Sequence, residues 1–215
     1  MEFRLASGCA DPCIYSVYVY SVYMATKQQI LDVAKRRFDR EGLAGLSMRT
    51  IAKDVGVTAM AIYRHYPDKD ALTNALMRNG IEAWGERVRA IEETDPIQWL
   101  HAASDAFLAF ALDEPRQYEA AFLLPATQAR RYPDDFAAGQ SPVMAMIQDR
   151  IEQAKKQGLI DEIPATDMAL TLSALGQGLV SLYQAGRFVG EAEFRDAYRM
   201  AMRRCVRSFL RNDKA

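Results

Sequence analysis

Three features of this sequence predict an all-α fold. Apolar residues recur at three- and four-residue steps in every long segment after Thr26, the period of a helix with one buried face. The runs open at Ser, Thr, Asp or Pro and close at Gly, as helix boundaries do. The one alternating, strand-like stretch, Ile14 to Tyr23, has no second stretch to pair with. Within this class the segment lengths predict an N-terminal three-helix head, joined through a fourth helix to a larger helical-bundle body. The expected boundaries are 1–23 for an extension, 24–84 for the head and 85–215 for the body.

The extension stands apart in character. Tyr-Ser-Val-Tyr occurs in it twice, and two readings compete: a disordered arm, or an upstream start codon with Met24 as the true beginning. The first helix follows, with Ile30, Ala34 and Phe38 four apart and Leu31 beside them, among Lys35, Arg36, Arg37 and Arg40. Gly42 ends it as a C′ glycine. Ser47 is placed to cap the second helix, whose inner face is Met48, Ile51, Ala52 and Val55. Gly56 supplies a left-handed turn. Thr58 caps a third helix, which Val57 and Ile62 hold against the same core. The fourth starts near Pro67-Asp68 and runs through Leu72, Leu76 and Met77 toward Val88.

The body continues with Pro96 to Leu112, which carries Trp99, Leu100, Phe107, Leu108 and Phe110, and then Arg116 to Leu124. Pro125 to Gly139, with two prolines and a glycine, is expected to be irregular. Ser141 to Gln157 is helical up to Gly158, and the last helices run from about Ala165 to Ala185 and Glu191 to Arg211.

Composition excludes several classes. Half of the 215 residues are apolar and 26% are charged, the balance of a soluble globular chain. The net charge is −1, so any hold on nucleic acid must come from a local arrangement. Residues 1–85 carry 11 Lys/Arg against 9 Asp/Glu, and 86–215 carry 16 against 19. Cys9, Cys13 and Cys205 are too few and too irregular for a disulfide framework, and no histidine near the first two makes a zinc spacing. No metal or cofactor is expected, and a reducing cytoplasm fits best. No run approaches the ~20 apolar residues of a membrane span.

Residues 47 to 69 carry the chemistry. Two short helices joined by a glycine turn, ending in an aromatic and basic cluster, are what a helix-turn-helix needs to put its second helix in the DNA major groove. That helix enters by its N-terminal end, here Thr58, Ala59, Met60 and Ala61. Ala59 and Met60 suit contact with thymine methyls, Thr58 can hydrogen-bond, and Arg64 can pair with guanine through two bonds. Tyr63, His65 and Lys69, with Arg49 and Thr50 at the start of the second helix, can reach phosphate oxygens. The plainer alternative makes Tyr63 and Tyr66 core aromatics and the charges a solvated face. The turn glycine and the packing triplet Ala52, Val57 and Ile62 weigh toward DNA.

Ile30 to Leu76 closely resembles the DNA-binding head of the TetR family of bacterial transcription regulators. The likeness rests on Ile30-Leu31-x-x-Ala34 with Phe38 and Gly42, on Ser47-Met48-Arg49-x-Ile51-Ala52 and on Val55-Gly56-Val57. Most specific is the run from Ala61 to Leu72, Ala-Ile-Tyr-Arg-His-Tyr-Pro-Asp-Lys-Asp-Ala-Leu. The resemblance implies that Thr58 to Met60 and Tyr63 to His65 meet bases or phosphates and that Lys69 meets phosphate. It also implies a body that pairs through its last two helices and binds a small-molecule effector. The 23-residue extension departs from the family pattern.

The body has features to match. Met168, Leu172, Leu175, Leu179 and Leu182 are spaced 4, 3, 4, 3, an a/d seam, with small residues beside it. The last helix presents Phe194, Tyr198, Ala201, Cys205 and Phe209. Leu172, Leu175, Leu179, Leu182, Tyr198 and Cys205 are therefore the expected homodimer interface, although the two helices could equally bury only each other. Leu175-Gly176-Gln177-Gly178-Leu179-x-Ser181-Leu182, with Gly186-Arg187-Phe188, is similar to one group of C-terminal domains in the family. Phe107, Phe110, Tyr118, Phe122, Met146 and Gln177 are the candidates for an effector pocket; plain core is the alternative for each.

Catalysis is not expected. His65 belongs to the DNA motif, His101 sits on a helix with no nearby cysteine and no evident serine nucleophile, and Asp113-Glu114, Asp134-Asp135 and Asp161-Glu162 read as loops or helix ends. The expected function is a homodimeric, ligand-released repressor on a palindromic operator. The alternatives are an activator, or a helical interaction protein that retains the head.

Overall fold

Thr26 sets the start of the first helix. Its hydroxyl accepts from the Gln29 amide at 3.1 Å, while the Gln29 side chain accepts from the Thr26 amide at 2.8 Å, a reciprocal capping box. The computed structural model describes residues 26–211. The strand-like extension, with Cys9 and Cys13, lies outside the described residues. The helices are α1 (Lys27–Glu41), α2 (Met48–Val55), α3 (Ala59–His65), α4 (Lys69–Arg89), α5 (Pro96–Asp113), α6 (Pro115–Phe122), α7 (Asp134–Ala137), α8 (Pro142–Lys156), α9 (Ala165–Gln184) and α10 (Glu191–Ser208), with a 3-10 turn at Gly42–Gly45. No strand occurs among the described residues, and the fold is all-α as the periodicity predicts.

The chain divides into two compact units, one ending at Leu76 and one beginning at Met77, a boundary inside α4. The first unit is built on Ile30, Ala34 and Phe38 of α1, Met48, Ile51 and Ala52 of α2, and Ile62 of α3, all buried. Arg37 fastens α1 to α2: its Nε donates to Asp54 at 2.6 Å and Nη1 to Glu41 at 3.0 Å. Tyr66, just past α3, donates its hydroxyl to the Lys27 carbonyl at 3.2 Å, with the Lys27 ammonium 5.5 Å from its ring centre. That pair of contacts ties the end of α3 to the start of α1.

The second unit packs α5, α8, α9 and α10 together. Gly80 of α4 lets α6 approach: a Cβ there would sit 2.7 Å from the Gln117 carbonyl and 2.8 Å from the Ala121 amide. Asp95 caps α5 by accepting from the amides of Ile97 and Gln98. Two details differ from expectation. The segment read as irregular contains the single-turn helix α7. The last helix stops at Ser208 rather than Arg211, because the chain turns to form a bridge between Ile160 and Leu210. Asp161 and Arg211 donate across it to Phe209 and Leu159.

Candidate nucleic-acid interface and body cavity

Gly56 makes the turn between α2 and α3 with φ 81° and ψ 28°, a left-handed conformation that suits glycine. Its amide and that of Val57 both donate to the Ala52 carbonyl, at 3.0 and 2.9 Å, so α2 is closed before α3 begins. Thr58 then caps α3, its hydroxyl accepting from the Ala61 amide at 3.3 Å. Ile62, fully buried, anchors the inner side of this short helix.

That anchoring decides what faces out. Met60 is 69% exposed and Tyr63 44%; Arg64 is exposed beside them, and Thr58 stands exposed at the cap. Ala59 and His65 are half-buried at the margins. Arg49 on the first turn of α2 and Lys69 at the first residue of α4 are exposed, and neither they nor Arg64 has a carboxylate partner among the described residues. Exposed cations without acidic partners keep their charge available to phosphate. Asp68 caps α4, accepting from the Ala71 amide at 2.6 Å.

Thr50 is placed differently from the rest. It is half-buried and its hydroxyl donates to the Ser47 carbonyl at 2.9 Å. It cannot donate to a phosphate without giving up that bond. Ser47 holds the N-cap position, but its own side chain makes no capping bond. The Ser47 carbonyl also accepts from the Ile51 amide at 2.9 Å.

The second unit holds a partly open cavity of about 270 Å³. Trp84 of α4, Phe107 of α5 and Phe122 of α6 form one wall, Phe107 meeting Trp84 edge-on at 5.2 Å and Phe122 at 5.4 Å between ring centres. Uncharged polar groups come from Ser104, Ser141, Ser173, Gln177 and Tyr198, and Arg130 is the one charged residue in the lining among the described residues. Among the described residues two hydroxyls are buried without a hydrogen-bond partner, those of Tyr118 and Tyr198. Burial pushes the Tyr118 phenol up to about 12 and raises that of Tyr198 as well, so both stay protonated donors. Ser104 lies near the Tyr198 hydroxyl and draws its pKa the other way, without a hydrogen bond of good geometry. Gly176 makes room for that hydroxyl, since a Cβ there would lie 3.0 Å from it.

Of the six pocket candidates, Phe107, Phe122 and Gln177 line the cavity. Phe110 and Tyr118 do not; both are fully buried behind the aromatic wall, against Trp84 and against Phe107 and Phe122 respectively. Met146 is also absent from the lining, because α8 turns Val143, Met144 and Ile147 toward the cavity. Spacing along one helix cannot tell a lining aromatic from the one supporting it. Arg130, Ser104 and Ser173 carried no sequence signal for this role; their placement depends on which helices meet.

The expected dimer residues also divide. Leu172 and Tyr198 are buried and line the cavity instead. Leu175, Leu179 and Cys205 are half-buried and pack on the core, and Leu182 is 49% exposed. The a/d seam is largely the core seam of α9. Its outer face carries Leu170, Ala174, Gly178, Ser181 and Leu182. Burial raises the Cys205 thiol pKa, which disfavours its thiolate. No group of acids, histidines and cysteines among the described residues could hold a metal, and no described helix is long and apolar enough to cross a membrane.

Known proteins share both units. Residues 30–76 match the family model for bacterial regulatory proteins of the tetR family. Residues 100–208 match that for the tetracyclin repressor-like C-terminal domain. An HTH-type transcriptional regulator of Staphylococcus aureus (strain USA300) is 27% identical over 89 residues, 40% of this chain and 48% of that protein. The chain thus spans about half the length of the curated relatives it matches. Among solved structures, a protein of unknown function from Rhodococcus sp. RHA1 superposes with a TM-score of 0.70 at 23% identity, covering 86% of this chain and 95% of that one. AibR in complex with isovaleryl coenzyme A and operator DNA gives 0.56 at 21%, covering 82% and 95%. The chain belongs to the TetR family of bacterial regulatory proteins.

Proposed function

We propose that the chain is a transcriptional repressor that binds a palindromic operator as a homodimer and releases it when a small molecule enters the body cavity. The observation that carries the DNA-binding part is the outward edge of α3. Met60, Tyr63 and Arg64 are exposed on a helix whose opposite side is anchored by the fully buried Ile62, in the motif that offers such an edge to the major groove. Arg64 reads a guanine, Thr58, Ala59 and Met60 meet base edges and methyls, and Tyr63, His65, Lys69 and Arg49 position the head on phosphates. Thr50 contributes through the end of α2 rather than through a free hydroxyl.

A homodimer is favoured by the outer faces of the last two helices. Small residues on α9, Ala174, Gly178 and Ser181, allow close approach, with Leu170 and Leu182 as exposed apolar contacts. The first half of α10 carries Glu193 and Asp196 besides Glu191, which pairs with Arg195 at 2.7 Å, and its last turns carry Arg203, Arg204 and Arg207. Two copies of α10 packed antiparallel about a two-fold axis would set opposite charges against each other. The cavity, apolar with a few polar groups, has the make-up of a small-molecule site. The solved AibR complex shows that a chain of this fold can hold a ligand and operator DNA together, which supports joining the two roles.

The test is fluorescence anisotropy against DNA from immediately upstream of the chain's own gene, at low and physiological salt. Two protomers per site, sequence selectivity and a steep salt dependence are the expected result. Weak binding that is equal on every duplex would contradict sequence-specific regulation at that site.

A further inference from the structure

The cavity in the second unit is chemically one-sided. Among the described residues, twenty-one of the twenty-two that line it are uncharged, the remaining one is Arg130, and none is acidic. Arg130 is half-buried. Its Nε donates to the Gln140 carbonyl at 2.5 Å, which fixes the plane of the guanidinium, and no carboxylate pairs with it among the described residues. A guanidinium at the wall of an apolar cavity gains most from a planar anion that takes its two terminal nitrogens together. A cationic guest would meet like charge with no acid to offset it. Opposite in character, the Trp84, Phe107 and Phe122 rings offer broad apolar surface with little to satisfy a polar body.

Resting on the reading of this cavity as the effector site, we propose that its ligand is an apolar monocarboxylate, its carboxylate held by Arg130 and its body lying against Trp84, Phe107 and Phe122. The partnerless Tyr198 hydroxyl, beside Ser104 and Gly176, gives a second anchor to ligands that carry an acceptor oxygen on the body. The site selects against amines of the same shape.

Trp84 is itself a reporter, one of two tryptophans in the chain, and reads the cavity without reference to DNA. Full-length protein would be titrated with octanoate, octanamide and octylamine while tryptophan emission is followed, with Trp84→Phe to assign the signal. The expected result is a saturable Trp84 response in which octanoate binds at least about tenfold more tightly than octanamide, a difference a charge-assisted pair readily supplies, with octylamine weaker still. Arg130→Gln should bring octanoate to within about twofold of octanamide. An unchanged ligand-free Trp84 emission and urea midpoint in that variant show the cavity is intact. Arg130→Lys should retain part of the preference. A saturable response equal for all three probes, or a preference that survives Arg130→Gln, overturns the anion assignment and leaves the cavity reading standing. No saturable response to any probe overturns the cavity reading and the assignment with it.

Discussion

Arg64, Tyr63 and Lys69 lie within six residues of one another, yet the proposed function gives them different work, and substitution separates it. Arg64→Ala should cost about 1–3 kcal/mol at the guanine it reads and relax preference at that position only. Tyr63→Ala and Lys69→Ala should weaken binding to all duplexes alike, and Lys69→Ala should lower the salt slope by about one. Competition binding with operator variants distinguishes the two patterns; a uniform loss for Arg64→Ala would place it on phosphate. His101 makes a prediction of a different kind. Burial first, then Arg203, holds its imidazole below the ordinary 6.5, with Asp105 opposing. The folded state therefore binds fewer protons than the unfolded state. Its contribution to stability is whole above 6.5 and is lost as the pH falls from there toward the lower folded value. His101→Gln should flatten the fall in urea midpoint between about pH 7.5 and 5.5. An unchanged slope would assign that fall to other groups.

Among the elements, two glycines test how helices meet. Gly56 holds a left-handed turn with nothing within 4 Å of the position a Cβ would take. Gly56→Ala therefore costs backbone strain alone, about 1–2 kcal/mol. Gly80 has ordinary helical geometry, but backbone atoms of α6 occupy the space a Cβ would need. Backbone cannot step aside as the end of a side chain can, so Gly80→Ala should cost about 1–3 kcal/mol through displacement of α6. The two also differ in consequence. Gly56→Ala should disturb DNA binding, and Gly80→Ala should alter the Trp84 emission, because α6 carries Phe122 at the cavity wall. Urea denaturation with both readouts checks the pair; a Gly80→Ala protein with native stability and emission would show that α6 is free to shift.

For the whole molecule, the proposed assembly depends on a surface the single chain leaves exposed. Leu182→Glu changes a side chain that is 49% exposed, so the protomer should still fold while a charge enters the α9 face of the interface. Sedimentation should then show a monomer, and operator affinity should fall steeply because two half-sites can no longer be held at once. A dimer that survives the change would mean the chain pairs elsewhere.

Nine of the ten described helices, their order and most of their ends were legible in the sequence, all but the single-turn α7, because capping and apolar period act over three or four residues. Thr26, Thr58 and Asp68 accept from amides three positions on, and Gly56 needs only its own positive φ. The outward set on α3 was legible too, since one buried residue, Ile62, orients a seven-residue helix. The cavity was not. Phe107 and Phe110 share a helix and a chemistry, and only the neighbouring helices decide that the first lines the space while the second lies behind Trp84. Leu172 and Tyr198 face inward for the same reason: a helix with apolar residues on more than one side does not reveal which side its own protomer covers. Local bonds are written residue by residue, whereas a cavity exists only where several helices converge. Arg130 shows the difference most plainly, an arginine of an irregular segment whose significance arises from the apolar walls around it.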